Sequence, residues 1–266
     1  VYEWLHRVSM IPAYLERTFN ADLIRSSLAL SLDRSESVAI SYALGQAMTS
    51  IFCREQLGVT HLLHVDRYAP QYHLRFGGTR RADLFGPSPN GWVVAEAKGR
   101  SGSVPLELRR TLVAQKRSVS EIEGKPPWVA VGCVAYFPQR NGAMQVDAFD
   151  PVKDIDEPSF FDVERDDYLL SYYRPFLRVL ESGEREERGA FEAVEFPDFG
   201  VRVGVPARLV ERLRRAESEE VDGLADDVSG ILDDVHSREI GVLPDGCVIE
   251  TDWQGPAGLD GGPLFD

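Results

Sequence analysis

Arg81-Ala82-Asp83-Leu84-Phe85-Gly86, Pro87-Ser88-Pro89-Asn90-Gly91 and Trp92-Val93-Val94-Ala95-Glu96-Ala97-Lys98 form the stretch on which the fold turns. Two apolar runs flank a Pro/Asn/Gly turn, which predicts a β-hairpin with strands over 79–85 and 92–98. Side chains on a strand alternate faces with period two, so Glu96 and Lys98 point the same way. Asp83 sits on the neighbouring strand. Two carboxylates and an ammonium held this way can bind a divalent metal and manage a proton near a phosphate. The small and apolar neighbours Val93, Val94, Ala95 and Ala97 mark a central strand. Charged residues on such a strand need a reason beyond solvation.

Outward from the hairpin, Asp33 or Ser35 caps a long helix over roughly 36–57, closed by Gly58. Its apolar stripe reads Ile40, Ala43, Ala47, Ile51, with Glu36 one turn before it and Glu55 one turn after. Strands are expected at 60–68 and near 71–76. After Lys98, a turn-rich link leads to a helix from Pro105 to about 122. Leu108, Leu112, Val119 and Ile122 form its stripe, and Gln115 falls on the same stripe. Trp128 to Phe137 reads as a strand buried on both faces. This order is that of a mixed α/β core.

Three segments follow from this reading: an N-terminal helical segment (1–34), a core (35–145) and a C-terminal α+β module (146–266). In the last, helices are expected at 164–181 and 206–216, and strands at 190–196 and 200–205. A closing hairpin turns at Pro244-Asp245-Gly246, and 182–189 reads as a charged linker. The overall charge of −14 is unevenly spread. Residues 1–145 carry 17 Lys+Arg against 12 Asp+Glu, while 146–266 carry 12 against 31. A basic half joined to an acidic one suits a nucleic-acid-binding part with a regulatory or partner-binding part; a plain acidic domain is the alternative.

At these residues the sequence resembles the PD-(D/E)xK nuclease superfamily, the restriction-endonuclease-like fold, over roughly 35–137. The motif matches at Asp83, Glu96 and Lys98, with Ala82 where the family has its proline. The resemblance implies an α/β core of helix, three strands, helix and strand. It implies hydrolysis of phosphodiester bonds with Mg²⁺, for which Mn²⁺ would substitute, and DNA as the favoured nucleic acid. It places the metal on Asp83, Glu96 and the carbonyl of Ala97, with Lys98 beside the reacting phosphate. Glu36 is then the extra acid that many members present from the first helix, or else a favourable contact with the helix N-terminus. Gln115 is a polar residue near the site, or else a satisfied buried amide. Arg80, Arg81 and Arg100 are candidate phosphate contacts; Arg109, Arg110, Lys116 and Arg117 read equally as a solvated helix face.

A homodimer is compatible with this reading, since cutting both strands commonly needs two sites. A different class also fits: a nuclease-fold binding or scaffold subunit whose acidic half docks a basic protein partner. Three cysteines without a CxxC pattern read as reduced thiols of a cytoplasmic protein. The first residues lack the pattern of a signal peptide, and no apolar run is long enough for a membrane span. His61 and His64, three apart on a presumed strand, face opposite sides and do not share a zinc. Serine-hydrolase, P-loop and Rossmann signatures are missing.

Overall fold

The computed structural model describes residues 2–68, 73–76, 81–105, 119–149, 159–218 and 221–253. The chain is α/β with mixed sheets and several helices. It divides into two compact units, His6–Val163 and Val1–Leu5 with Glu164–Asp266. The division falls after Val163, beyond the 145/146 boundary expected from the change in charge. Strands past residue 145 complete the sheets of the first unit, and backbone pairing, not charge, sets the boundary.

In chain order, helix α1 (Tyr2–Tyr14) leads to the short pair β1 (Leu15–Arg17) and β2 (Leu23–Arg25). Helix α2 (Ser27–Ser31) and the long α3 (Arg34–Leu57) follow. Next come β3 (Leu63–His64), the helical turn α4 (Val65–Tyr68), β4 (His73–Arg75), β5 (Leu84–Ser88) and β6 (Gly91–Arg100). Then come β7 (Val119–Ile122), β8 (Val129–Tyr136), β9 (Gln145–Phe149) and β10 (Ser159–Asp162). The expected N-terminal helical segment (1–34) is therefore interrupted by a β-hairpin. Residues 119–122 are strand where a helix end was expected; they pair in parallel with β10, and Val119 and Ile122 are buried.

The main sheet has the order β3-β5-β6-β8-β9. Its first three strands run antiparallel, β8 lies parallel to β6, and β9 is antiparallel to β8. The hairpin of β5 and β6 turns over Pro89-Asn90, so β5 runs on to Ser88 and ends later than expected. Strand β6 is buried from Trp92 through Ala97, as a central strand must be. Val93, Ala95 and Ala97 pack with Leu84, Val131, Cys133, Cys53 and Val59. Phe85 and Trp92 stack on each other, and Phe161 meets Phe85 edge-on at 5.3 Å. That contact brings a second sheet, β4-β10-β7, against the first.

Helix α3 begins and ends where the sequence indicates. The Asp33 side chain accepts from the N–H groups of Ser35 and Glu36, and Gly58 closes the helix in the left-handed region at φ 68°. Its buried face, however, is Leu44, Gly45, Met48, Thr49 and Cys53, rotated from the expected stripe. Ile51, on that stripe, is 39% exposed. The reason is a close crossing over β6. A Cβ on Gly45 would lie 2.5 Å from the nitrogen of Gly99, and a Cβ on Gly99 would lie 1.6 Å from the carbonyl oxygen of Ser41. Only glycines permit that approach, so the helix docks along Ser41 and Gly45.

The second unit contains α5 (Arg165–Leu180), β11 (Glu184–Arg188), β12 (Phe191–Phe196), β13 (Val201–Pro206), α6 (Ala207–Ser218), α7 (Leu224–Arg238) and β14 (Val248–Thr251). Its four strands form one antiparallel sheet in the order β11-β12-β13-β14. The expected linker at 182–189 contains β11, and the acidic stretch after 217 contains α7. Where a closing hairpin was expected, only 248–251 is strand, and it pairs with β13. The turn at Asp245 is held by side chains: Tyr172 donates to Asp245 Oδ2 at 2.7 Å, and Tyr173 donates to the Asp245 carbonyl at 2.8 Å.

Candidate metal and phosphate site

The register of the hairpin ends with Leu84 opposite Ala95, which sets Asp83 one position beyond, across from Glu96. The Ala97 N–H donates to Asp83 Oδ2 at 2.9 Å. The Asp83 carboxylate therefore continues the strand pairing where the backbone of β5 leaves off. In an antiparallel ladder the N–H and C=O of one residue point to the same side. The Ala97 carbonyl is thus directed toward the side on which Asp83 lies.

Glu96 is fully buried. Lys98 Nζ donates to its Oε1, and the same Nζ lies 3.9 Å from Asp83 Oδ2. One ammonium therefore contacts one carboxylate and stands close to the other. The second oxygen of Glu96, Oε2, is buried with no hydrogen-bond partner. Burial, and then the charge of Asp83, push the Glu96 carboxyl up to about 7. For Lys98, burial works downward, but the hydrogen bond and charge of Glu96, with Asp83 and Tyr42, outweigh it and raise the pKa.

A buried carboxylate oxygen without a donor is costly. A hard cation is one partner that satisfies it. Among the described residues there is no group of three or more His, Cys, Asp or Glu side chains suited to a metal. Two carboxylates and a backbone carbonyl nevertheless fit Mg²⁺, which keeps several of its waters and is held by one or two carboxylates. The donor set is all oxygen, which disfavours softer metals.

The other expected site residues fare differently. Glu36 is exposed in the first turn of α3, where its Oε2 accepts from the Asp33 N–H at 3.2 Å. That capping box accounts for its carboxylate, so the helix-terminus alternative fits the geometry. Glu55 is exposed and pairs with Arg54. Arg81 is exposed, salt-bridged to Asp66 at 2.9 Å and stacked over Phe76 at 4.0 Å. Arg100 is exposed at the end of β6. Arg80, Gln115, Arg109, Arg110, Lys116 and Arg117 lie outside the described residues.

Sequence reading missed Tyr42. It stands on α3, half-exposed, and its hydroxyl is 3.3 Å from His64 Nε2 on β3. Burial, then Asp83, raise its pKa, and the charges of Lys98 and Glu96 also reach it. Gln46, one turn along the same helix, has both amide atoms buried without a hydrogen-bond partner. Tyr42 fell off the apolar stripe assumed for α3, and the signal that would have found it is the Ser41/Gly45 pair of small residues that sets the helix face.

No family model, curated protein or solved structure matches this chain in comparisons with known proteins. Among the described residues no helix is long and apolar enough to cross a membrane.

Proposed function

We propose that this chain is a Mg²⁺-dependent nuclease that hydrolyses phosphodiester bonds, with DNA the favoured substrate by resemblance. The observation that carries the reading is Glu96: a fully buried acid with one oxygen on Lys98 and the other without a partner, on the strand next to Asp83. The antiparallel β3-β5-β6 run, with α3 before it and β8 parallel to β6 after it, supports a restriction-endonuclease-like core.

Asp83, Glu96 and the Ala97 carbonyl would hold Mg²⁺, or Mn²⁺ in its place. A metal held there would supply polarisation of a phosphate oxygen and a lowered pKa of a nearby water. The chain's own residues do the rest. The bond from Ala97 to Asp83 fixes the first acid relative to the strand of the second. Lys98 Nζ, hydrogen-bonded to Glu96 and 3.9 Å from Asp83, is placed as a donor and a positive charge beside the reacting phosphate. In that role it orients the attacking water and stabilises the negative charge that grows on the phosphate. The burial of Glu96 keeps bulk water away from the inner side of the site.

The test is an activity panel on duplex DNA, single-stranded DNA and RNA with Mg²⁺, Mn²⁺ or EDTA. Metal-dependent cleavage that Asp83→Ala, Glu96→Ala and Lys98→Ala each abolish is the expected result. Cleavage at the wild-type rate by all three folded variants would overturn it.

A further inference from the structure

The geometry points to Tyr42 as a second phosphate contact of the nuclease site, held in place by His64. This inference rests on the nuclease reading and adds to it a substrate-binding group from a separate helix and strand.

Three observations converge. First, Tyr42 is 51% exposed, on a helix that packs against β6 through Ser41 and Gly45. Second, the hydroxyl reaches β3 at His64, which pairs with Leu84, the residue next to Asp83, so it lies beside the first acid of the site. Third, the hydroxyl is within hydrogen-bond distance of His64 Nε2, while His64 Nδ1 is buried and has no partner.

The third observation sets the direction of the bond. A buried N–H without an acceptor is rarely tolerated, whereas a bare lone pair is tolerated more often. The imidazole proton therefore belongs on Nε2, which donates to the Tyr42 oxygen. Its own hydroxyl hydrogen then remains available to donate, with the Gln46 side chain the neighbour that competes for it. A donor beside a metal-binding acid pair suits a non-bridging oxygen of a backbone phosphate, an acceptor that carries negative charge. Tyr42 touches the substrate, and His64 is a positioning residue that acts through it.

A contact to a phosphate that does not react strengthens binding of substrate and transition state alike. Its removal raises KM and leaves kcat unchanged. The experiment uses the full chain, a fluorescent 20-base-pair duplex and Mg²⁺, and compares wild type with Tyr42→Phe, His64→Leu, His64→Gln, the Tyr42→Phe/His64→Leu double variant, Lys98→Ala, Asp83→Ala and Glu96→Ala. Tyr42→Phe is expected to raise KM about tenfold, with kcat within about twofold. His64→Leu should raise KM less, His64→Gln should restore it because its amide nitrogen can replace Nε2, and the double variant should be no worse than Tyr42→Phe alone. An unchanged KM in Tyr42→Phe, with Lys98→Ala inactive, overturns this inference and leaves the nuclease reading standing. Additive effects of the two substitutions overturn the role of His64. No cleavage by wild type, or full activity in Lys98→Ala together with Asp83→Ala and Glu96→Ala, overturns the nuclease reading and this inference with it.

Discussion

Asp83 and Ala97 are joined by a 2.9 Å hydrogen bond from the backbone of one to the carboxylate of the other. The first acid of the motif is thereby fastened to the strand that carries the second acid and the lysine. A one-residue slip between β5 and β6 would break this tie and turn Glu96 to the opposite sheet face.

Asp83→Asn separates the tie from the charge. The amide oxygen can still accept from Ala97, but it is a weaker partner for a cation and for Lys98. Cleavage in Mg²⁺ should fall by more than about 100-fold, while the thermal midpoint stays near that of wild type. Gel-based cleavage rates and a melting curve on the same preparation check both halves. A variant that cleaves at the wild-type rate contradicts the role given to Asp83.

Glu96 makes the metal-free protein sensitive to pH. Its folded pKa, about 7, stands above the ordinary 4.5. The proton bound by the folded state stabilises it fully below about 4.5, and that contribution is lost as pH rises through about 7. Glu96→Gln keeps a neutral side chain at every pH. The stability difference between variant and wild type should therefore grow in the variant's favour between these limits, by on the order of a few kcal/mol. Denaturant melts in EDTA at a series of pH values check this; a difference that does not change with pH contradicts it.

The crossing of α3 over β6 depends on Gly99. Gly99→Ala places a Cβ against the Ser41 carbonyl and forces the helix away. A loss of about 1–3 kcal/mol or more is expected. Activity should fall beyond what stability explains, because Lys98 precedes the shifted residue. Unfolding and cleavage assays on this variant check it, and a wild-type melting curve contradicts it.

Cys53, Cys133 and Cys247 are all buried, and none forms a disulfide. Burial, then the neighbouring Cys133, push the Cys53 thiol up to about 12, and burial raises Cys247 as well. Ellman-type labelling at pH 8 should be slow in the native state and fast for all three on unfolding. Rapid labelling of a native thiol contradicts the packing described.

The sequence made the two ends of α3 legible, because Asp33 and Gly58 act locally. Its buried face was not legible, since the close approach of Gly45 to Gly99, 54 residues further along the chain, decides it. Central strands β6 and β8 stood out as continuous apolar runs. Strand β11 did not: its residues Glu184-Arg185-Glu186-Glu187-Arg188 suit the edge position it holds, and charge hid the strand. Helix α7 was concealed in the same way, although Leu224, Val228, Ile231, Leu232 and Val235 keep helical spacing beneath the acids. In the site, Asp83, Glu96 and Lys98 share one hairpin and could be read from spacing. Tyr42 and His64 come from elements brought together only by tertiary packing.

The most direct measurement is calorimetric titration of Mn²⁺ into wild type, Asp83→Asn and Glu96→Gln at pH 8. One site in the wild type, lost or strongly weakened in both variants, is the predicted result. Binding of equal strength in all three proteins, or none in the wild type, would contradict the claim that these two carboxylates grip a single ion.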